Sequence, residues 1–396
     1  MTLIRCLTAA SVVAFAPLSF AKESPQLPGV KVAMEASIAA KEIAGAVTLV
    51  TTKDKIVHLE ATGMADVASQ KPMSTDAIFW IASMTKPITG VAVLMLQDEG
   101  KLNVSDPVAK YLPEFAALKS PSGRPANLTI TQILTHTSGL GEATAEQLAN
   151  AKTLADVIPH YLAAPMQYEP GERWKYTQSA INTASRIVEV VSGQPFEVFL
   201  EERLFGPLGM KDTGFYLSAE DILRLVTPYR KDATTGELMP VPPRRGIRTR
   251  DYPPLGNGGL YSTAGDYGRF AQMLLGGGQA NGKRYLSAAS LKLLSTPQTG
   301  ELPTGFFQEA ERGGFGANYG WGIGTCVLRT PHAGAAEVLS PGTYGHGGAW
   351  GTQAWIDPVK GVAYVLMVQR AGHPNSDGSD FRRDFQKAAA HALTQK

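Results

Sequence analysis

Gly45-Ala46-Val47-Thr48-Leu49-Val50-Thr51 is almost wholly apolar or β-branched, and after the charged break Lys53-Asp54-Lys55 the pattern resumes over Ile56-Val57-His58-Leu59-Glu60-Ala61. Two such runs around a short polar turn predict a β-hairpin. The same signal returns near the far end, where residues 351–357 and 362–369 flank Pro358-Val359-Lys360-Gly361. An amphipathic helix over about residues 380–394 follows this second hairpin.

Between the two hairpins the spacing becomes helical. Residues 87–99 are mostly apolar and stop at Gly100. Residues 131–134, 179–192, 196–205 and 266–275 repeat the helical period, punctuated by Gly193, the Gly206-Pro207 turn and Gly276-Gly277-Gly278. Strands at both ends with helices between them predict an α/β chain of the α+β type. One antiparallel sheet is built from both chain ends and flanked by helices, and a mainly helical lobe is inserted. The expected sheet lobe takes about residues 22–90 and 255–396, and the helical lobe about 91–254. The Pro-rich, basic stretch 241–250 predicts an exposed, mobile loop.

Composition narrows the function classes. The 396 residues are 44% hydrophobic and 18% charged, which fits a packed globular chain rather than a disordered one. A net charge of +2 without any dense Lys/Arg block gives no footprint for nucleic acid. The N-terminus combines one early cation at Arg5, an apolar stretch and Ser19-Phe20-Ala21. That pattern predicts a secretory signal over residues 1–21, cut after Ala21, and a periplasmic or secreted protein without stable membrane insertion after cleavage. Cleavage leaves Cys326 as the one cysteine, so no intramolecular disulfide forms, and its apolar neighbours read as those of a buried small hydrophobe.

The chemistry starts at Ser83-Met84-Thr85-Lys86, behind the strand-like Ala77-Ile78-Phe79-Trp80-Ile81 and ahead of the apolar helix. A serine hydroxyl is inert at neutral pH until a base takes its proton. On a helix, positions three apart share a face, so Lys86 would stand one turn from Ser83. A helix N-terminus also offers free N–H groups to a developing oxyanion. Pro87 is tolerated because the first turn needs no N–H there. Burial would lower the lysine pKa and let it act as a base. The spacing alone is weak, since the same pattern occurs at Ser19 to Lys22.

Four further segments fall in order along the chain: Leu134-Thr135-His136-Thr137-Ser138-Gly139-Leu140, Pro170-Gly171-Glu172-Arg173-Trp174-Lys175-Tyr176-Thr177-Gln178, Gly258-Gly259-Leu260-Tyr261-Ser262-Thr263, and Tyr344-Gly345-His346-Gly347-Gly348. Together with Ile81-Ala82-Ser83-Met84-Thr85-Lys86 they resemble the serine β-lactamase and penicillin-binding protein superfamily. The nearest resemblance is to class C β-lactamases and family VIII carboxylesterases. It implies that Ser83 is an acyl-accepting nucleophile and that Lys86 and Tyr176 move its proton, without deciding which of them is the base. It also implies an oxyanion site from the backbone N–H groups of Ser83 and Ala349.

Two departures bear on substrate. The Tyr-x-Asn of class C enzymes is Tyr176-Thr177-Gln178, and Gln178 presents its amide one methylene further out. The Lys-Thr-Gly that helps hold a substrate carboxylate is replaced by His346-Gly347-Gly348, with a mostly uncharged histidine and no hydroxyl at 347. Gln178, His346, Gly347 and Gly348 are therefore the expected substrate-binding residues, with Trp350 as a pocket wall. The resemblance implies an exported serine esterase with a small ester or amide substrate. A β-lactamase or D-amino-acid peptidase is the alternative, and a non-catalytic peptidoglycan- or partner-binding protein a third reading.

Other signals are set aside. Ser138 and His136 are two residues apart and do not face each other on a helix, so they read as structural. No G-x-S-x-G is present, and none of the seven histidines forms H-E-x-x-H. Gly320-Trp321-Gly322-Ile323-Gly324 lacks a complete nucleotide fingerprint, so neither a cofactor nor a metal is expected.

Overall fold

The computed structural model describes residues 26–243, 247, 250–304 and 316–395. The predicted signal over residues 1–21 and most of the basic part of the 241–250 loop lie outside the described residues. The N-terminal hairpin is strand β1 (Gly45–Thr51) with β2 (Ile56–Asp66), followed by the short β3 (Lys71–Pro72). From the other end come β4 (Tyr319–Trp321), β5 (Cys326–Leu328), β6 (Tyr344–Gly347), β7 (Gln353–Asp357) and β8 (Val362–Met367). They form one antiparallel sheet in the order β4-β5-β6-β7-β8-β1-β2-β3. The two chain ends meet where β1 pairs with β8, Leu49 opposite Val365.

All seven residues of β1 are buried, which explains why its sequence is a continuous apolar run and not an alternation. Both faces of the sheet are covered. Val47 and Leu49 point into one core with the helix Ala264–Leu275, while Ala46 and Val50 point into a second core with the helices Val30–Ala39 and Asp380–Thr394. That opposite placement is the period-two rule of a strand.

The helix Thr85–Asp98 is buried continuously from Thr85 to Leu96. A helix that is apolar all round belongs inside a protein, and this one packs against Ser179–Ser192. Its start differs from the expectation in one respect. Ser83 sits in a tight 3₁₀ turn, Ala82–Met84, and the α-helix begins only at Thr85. The segment before it is shorter than expected, with Phe79–Trp80 paired to Tyr261–Ser262 outside the main sheet and Ile78 bridged to Leu225. The predicted helix over 196–205 is Phe196–Leu200 followed by a π turn, Glu201–Phe205. Strands β4 and β5 are found where the sequence showed only glycines and a lone cysteine. Three-residue strands are too short to carry a readable period.

Candidate active site

Ser83 is held by the turn around it. Ala82 has φ +44°, a left-handed conformation that costs a non-glycine residue about 1–3 kcal/mol and persists only when the surroundings enforce it. Thr85 supplies part of that enforcement. Its hydroxyl donates to the Ala82 carbonyl at 2.7 Å and accepts from the Leu260 N–H at 3.2 Å.

One turn on, Lys86 is fully buried, and its Nζ lies 3.1 Å from Ser83 Oγ. The amine donates to the Asn257 carbonyl at 2.6 Å and to Gln178 Oε1 at 3.1 Å, and it stands 4.5 Å from the centre of the Tyr176 ring. Burial drives its pKa well below the usual lysine value, and nearby Glu142 offsets this only in part. Tyr176 is pushed the opposite way, well above the usual phenol range, again by burial, while a hydrogen bond with Ser83 pulls it back.

Behind Tyr176 lies His346, fully buried. Its Nδ1 is 2.6 Å from the Gly347 carbonyl, an atom that can only accept. The proton therefore resides on Nδ1, and the bare Nε2 faces the Tyr176 hydroxyl at 3.4 Å. Burial and the neighbouring Lys86 lower the His346 pKa to about 3, so the ring is neutral. His136, Trp174 and Trp321 pack around the Tyr176 ring, with His136 at 4.5 Å between centroids. His136 Nδ1 also accepts the Thr177 N–H at 3.2 Å, fixing the backbone that carries Tyr176. Ser138 Oγ accepts from the Leu140 N–H and makes no pair with His136. Cys326 is buried, and burial drives its thiol pKa far above the usual value, as suits a packing residue.

A cavity of about 360 Å³ opens beside the serine. Ser83, Ala349 and Gln178 all line it, so the structure brings the two expected oxyanion amides to one space. Neither N–H is consumed by the hydrogen bonds of the surrounding turns and loops. The other expected substrate contacts are placed differently. His346, Gly347 and Gly348 do not line this cavity among the described residues, because His346 is covered by Tyr176. Trp350 does not line it either. Trp80 forms that wall, and Trp350 packs edge-on against it with ring centres 4.5 Å apart.

Gly347 has a steric reason. A Cβ there would lie 1.8 Å from Asp377 Oδ1 and 2.5 Å from the Gln353 amide, so no threonine hydroxyl fits. A Cβ at Gly348 would meet Thr352 Oγ1 at 2.1 Å. Gly347→Thr is therefore expected to destabilise the fold by about 1–3 kcal/mol, the usual cost of overpacking. A thermal midpoint equal to the parent's would contradict this packing.

Two residues escaped the sequence reading. Asn257 closes the site from the loop before Tyr261–Ser262. Its carbonyl receives Lys86, its Nδ2 donates to Gln178 Oε1 at 2.7 Å, and its N–H donates to Asn182 Oδ1 at 3.0 Å. Gln178 Oε1 is thus occupied by Lys86 and Asn257, which makes it a clamp on the lysine. Glu142 accepts the N–H groups of Gln178 and Ser179, the latter at 3.1 Å, at the start of the helix Ser179–Ser192. Asn257 directly precedes one of the five motif segments, and Glu142 lies two residues beyond another. No spacing rule reports either.

No group of three or more His, Cys, Asp or Glu among the described residues could hold a metal. No helix among them is long and apolar enough to cross a membrane.

The Beta-lactamase family model matches residues 30–389. Protein Rv1367c of Mycobacterium tuberculosis is 35% identical over 350 residues, covering 83% of this chain and 86% of that protein. Esterase EstB of Burkholderia gladioli is 30% identical over 367 residues, covering 84% of this chain and 87% of that one. Among solved structures, EstCE1, described as a hydrolase with promiscuous acyltransferase activity, superposes with a TM-score of 0.77. It shares 24% identity and covers 91% of this chain and 97% of that chain, a likeness of fold.

Proposed function

Because this chain belongs to the beta-lactamase family and is a serine hydrolase, we propose that it cleaves carboxylic esters through an acyl-enzyme on Ser83. The observation that carries the ester reading is the strand Tyr344–Gly347 with Gly348, where the Lys-Thr-Gly of the family is His346-Gly347-Gly348. Its histidine is buried and neutral, and Asp377 fills the space a hydroxyl would need beside Gly347. Among the described residues that line the cavity none is cationic, so the carboxylate of a β-lactam or a terminal D-alanine would find no cation there to receive it.

The proton inventory supports Lys86 as the base. Two carbonyl-type oxygens, on Asn257 and Gln178, take two amine hydrogens. A neutral amine then has its lone pair left for the Ser83 hydroxyl. Lys86 Nζ accepts that proton as Ser83 Oγ attacks the ester carbonyl. The resulting oxyanion is held by the Ser83 and Ala349 N–H groups. Tyr176, still protonated, gives its proton to the departing alkoxide and is restored from Lys86. Water then attacks the acyl-serine by the reverse proton path and releases the acid. Relatedness to an esterase over 84% of the chain supports the same reading.

The test is a parallel hydrolysis screen of p-nitrophenyl esters, nitrocefin and D-alanyl peptides. Efficient turnover of esters, with poor turnover of the other two, is the expected result. The reverse order would replace the ester reading with the lactam or peptide one. Export is part of the proposal and rests on the pattern of residues 1–21. A secreted product whose N-terminus begins at Lys22 is expected, and a product retaining residues 1–21 would remove that part.

A further inference from the structure

Of the described residues lining the cavity beside Ser83, Glu142 is the one that carries a formal charge. Lys86 is sealed off behind Gln178 and Asn257 with no exposed surface. Glu142 by contrast stays accessible at the cavity wall. It is also close to the chemistry. Its carboxylate holds the Gln178 N–H, Gln178 Oε1 holds Lys86 Nζ at 3.1 Å, and Lys86 Nζ is 3.1 Å from Ser83 Oγ.

The two backbone N–H groups satisfy only part of this carboxylate. Each oxygen accepts one of them, and an ionised carboxylate has about four acceptor positions. No salt bridge to Glu142 is formed among the described residues, and desolvation at the cavity wall holds its carboxyl above the ordinary range although both N–H groups, nearby Lys86 and the Ser179 hydroxyl act to lower it. Trp80, Tyr161 and Tyr252 line the same space with aromatic rings, whose faces attract cations. Across the site the buried His346 ring is neutral, and Asp377 behind Gly347 is itself coupled to the buried Arg382 guanidinium, so neither decides the charge preference of the cavity. A cation would be stabilised in this cavity and an anion repelled.

We propose that the substrate is an ester or amide that also carries an aliphatic ammonium group, and that Glu142 is the carboxylate that binds it. This inference rests on the serine-hydrolase reading above. The ammonium sits a few bonds from the scissile carbonyl, on either the acyl or the alcohol side, and the experiment separates the two.

D- and L-alanine benzyl esters are compared with benzyl propionate for the acyl side. Butyrylcholine is compared with its uncharged analogue 3,3-dimethylbutyl butyrate for the alcohol side. In the parent, kcat/KM in at least one pair is expected to favour the charged member by about tenfold or more, and that ratio should shrink as salt is added. Glu142→Gln should reduce the ratio by about tenfold, whereas Glu142→Asp should keep most of it. The ratio is the readout because both members of a pair share any general loss of activity. Should Glu142→Gln fail to fold, inhibition of the parent by benzylamine against benzyl alcohol decides, and the amine should be the stronger inhibitor. Equal or better cleavage of the neutral member in both pairs, an unchanged ratio in a folded Glu142→Gln, or no preference for benzylamine would overturn the assignment. Neutral esters cleaved without preference would leave the esterase reading standing and remove only this one. Cleavage of none of the esters would remove both.

Discussion

Ser83→Ala is expected to lower kcat/KM for a simple ester by at least about a thousandfold while the protein stays folded. The change removes one oxygen from a turn whose shape is set elsewhere, by the Thr85 hydroxyl bridging Ala82 and Leu260. Lys86 keeps its two acceptors on Asn257 and Gln178, so no buried donor is orphaned. The thermal midpoint should therefore stay within a few degrees of the parent's. A fluorophosphonate should add to the parent and not to the variant, as read by intact mass. Residual hydrolysis near the parent's rate would mean that another group attacks the ester, and the catalytic assignment would fall.

Lys86→Met is expected to match that loss in kcat/KM, and its pH profile separates a base from a merely structural lysine. In the parent, kcat/KM should rise with pH as Lys86 gives up its proton, and the rise should fall well below the ordinary lysine range because burial disfavours the charged amine. Tyr176 is displaced upward and keeps its proton across the neutral range, so it should add no fall there. The variant should lose the Lys86-dependent rise. A profile of unchanged shape, merely scaled down, would assign the base elsewhere.

Stability should respond to the Lys86→Met substitution in the opposite direction from activity. With the folded pKa below the unfolded value, the unfolded chain binds a proton as pH falls through the ordinary lysine range and the folded chain does not. The buried lysine thus weakens the fold increasingly as pH drops from there toward its own folded pKa, and the penalty is fully present below that value. Methionine removes the penalty, so the variant should melt no lower than the parent at neutral pH. A large fall in midpoint would show that the hydrogen bonds of Lys86 outweigh its desolvation.

Much of the architecture was legible from local pattern. The hairpin at Gly45–Thr51 and Ile56–Asp66, the helix Ser179–Ser192 and the closing helix Asp380–Thr394 follow directly from runs long enough to show a period. Shorter pieces were not. Tyr319–Trp321 and Cys326–Leu328 hold three residues each, broken by Gly320 and followed or preceded by glycine-rich turns. The 3₁₀ turn at Ser83 was also hidden, because the conformation of Ala82 is imposed by contacts with distant Leu260 through Thr85.

By itself the sequence determined that a sheet joins the two chain ends and that Ser83, Lys86 and Tyr176 belong to one family pattern. Those are matters of periodicity and of short motifs, which local residue order carries. The tertiary structure decided the environment of each group. It showed Lys86 stripped of water, His346 hidden behind Tyr176, and Asp377 occupying the space beside Gly347. It also put Glu142 and Asn257 at the cavity, each brought there by a loop whose path no spacing encodes. Burial and the approach of chain-distant atoms set pKa values and exclude side chains, and both exist only once the chain has folded.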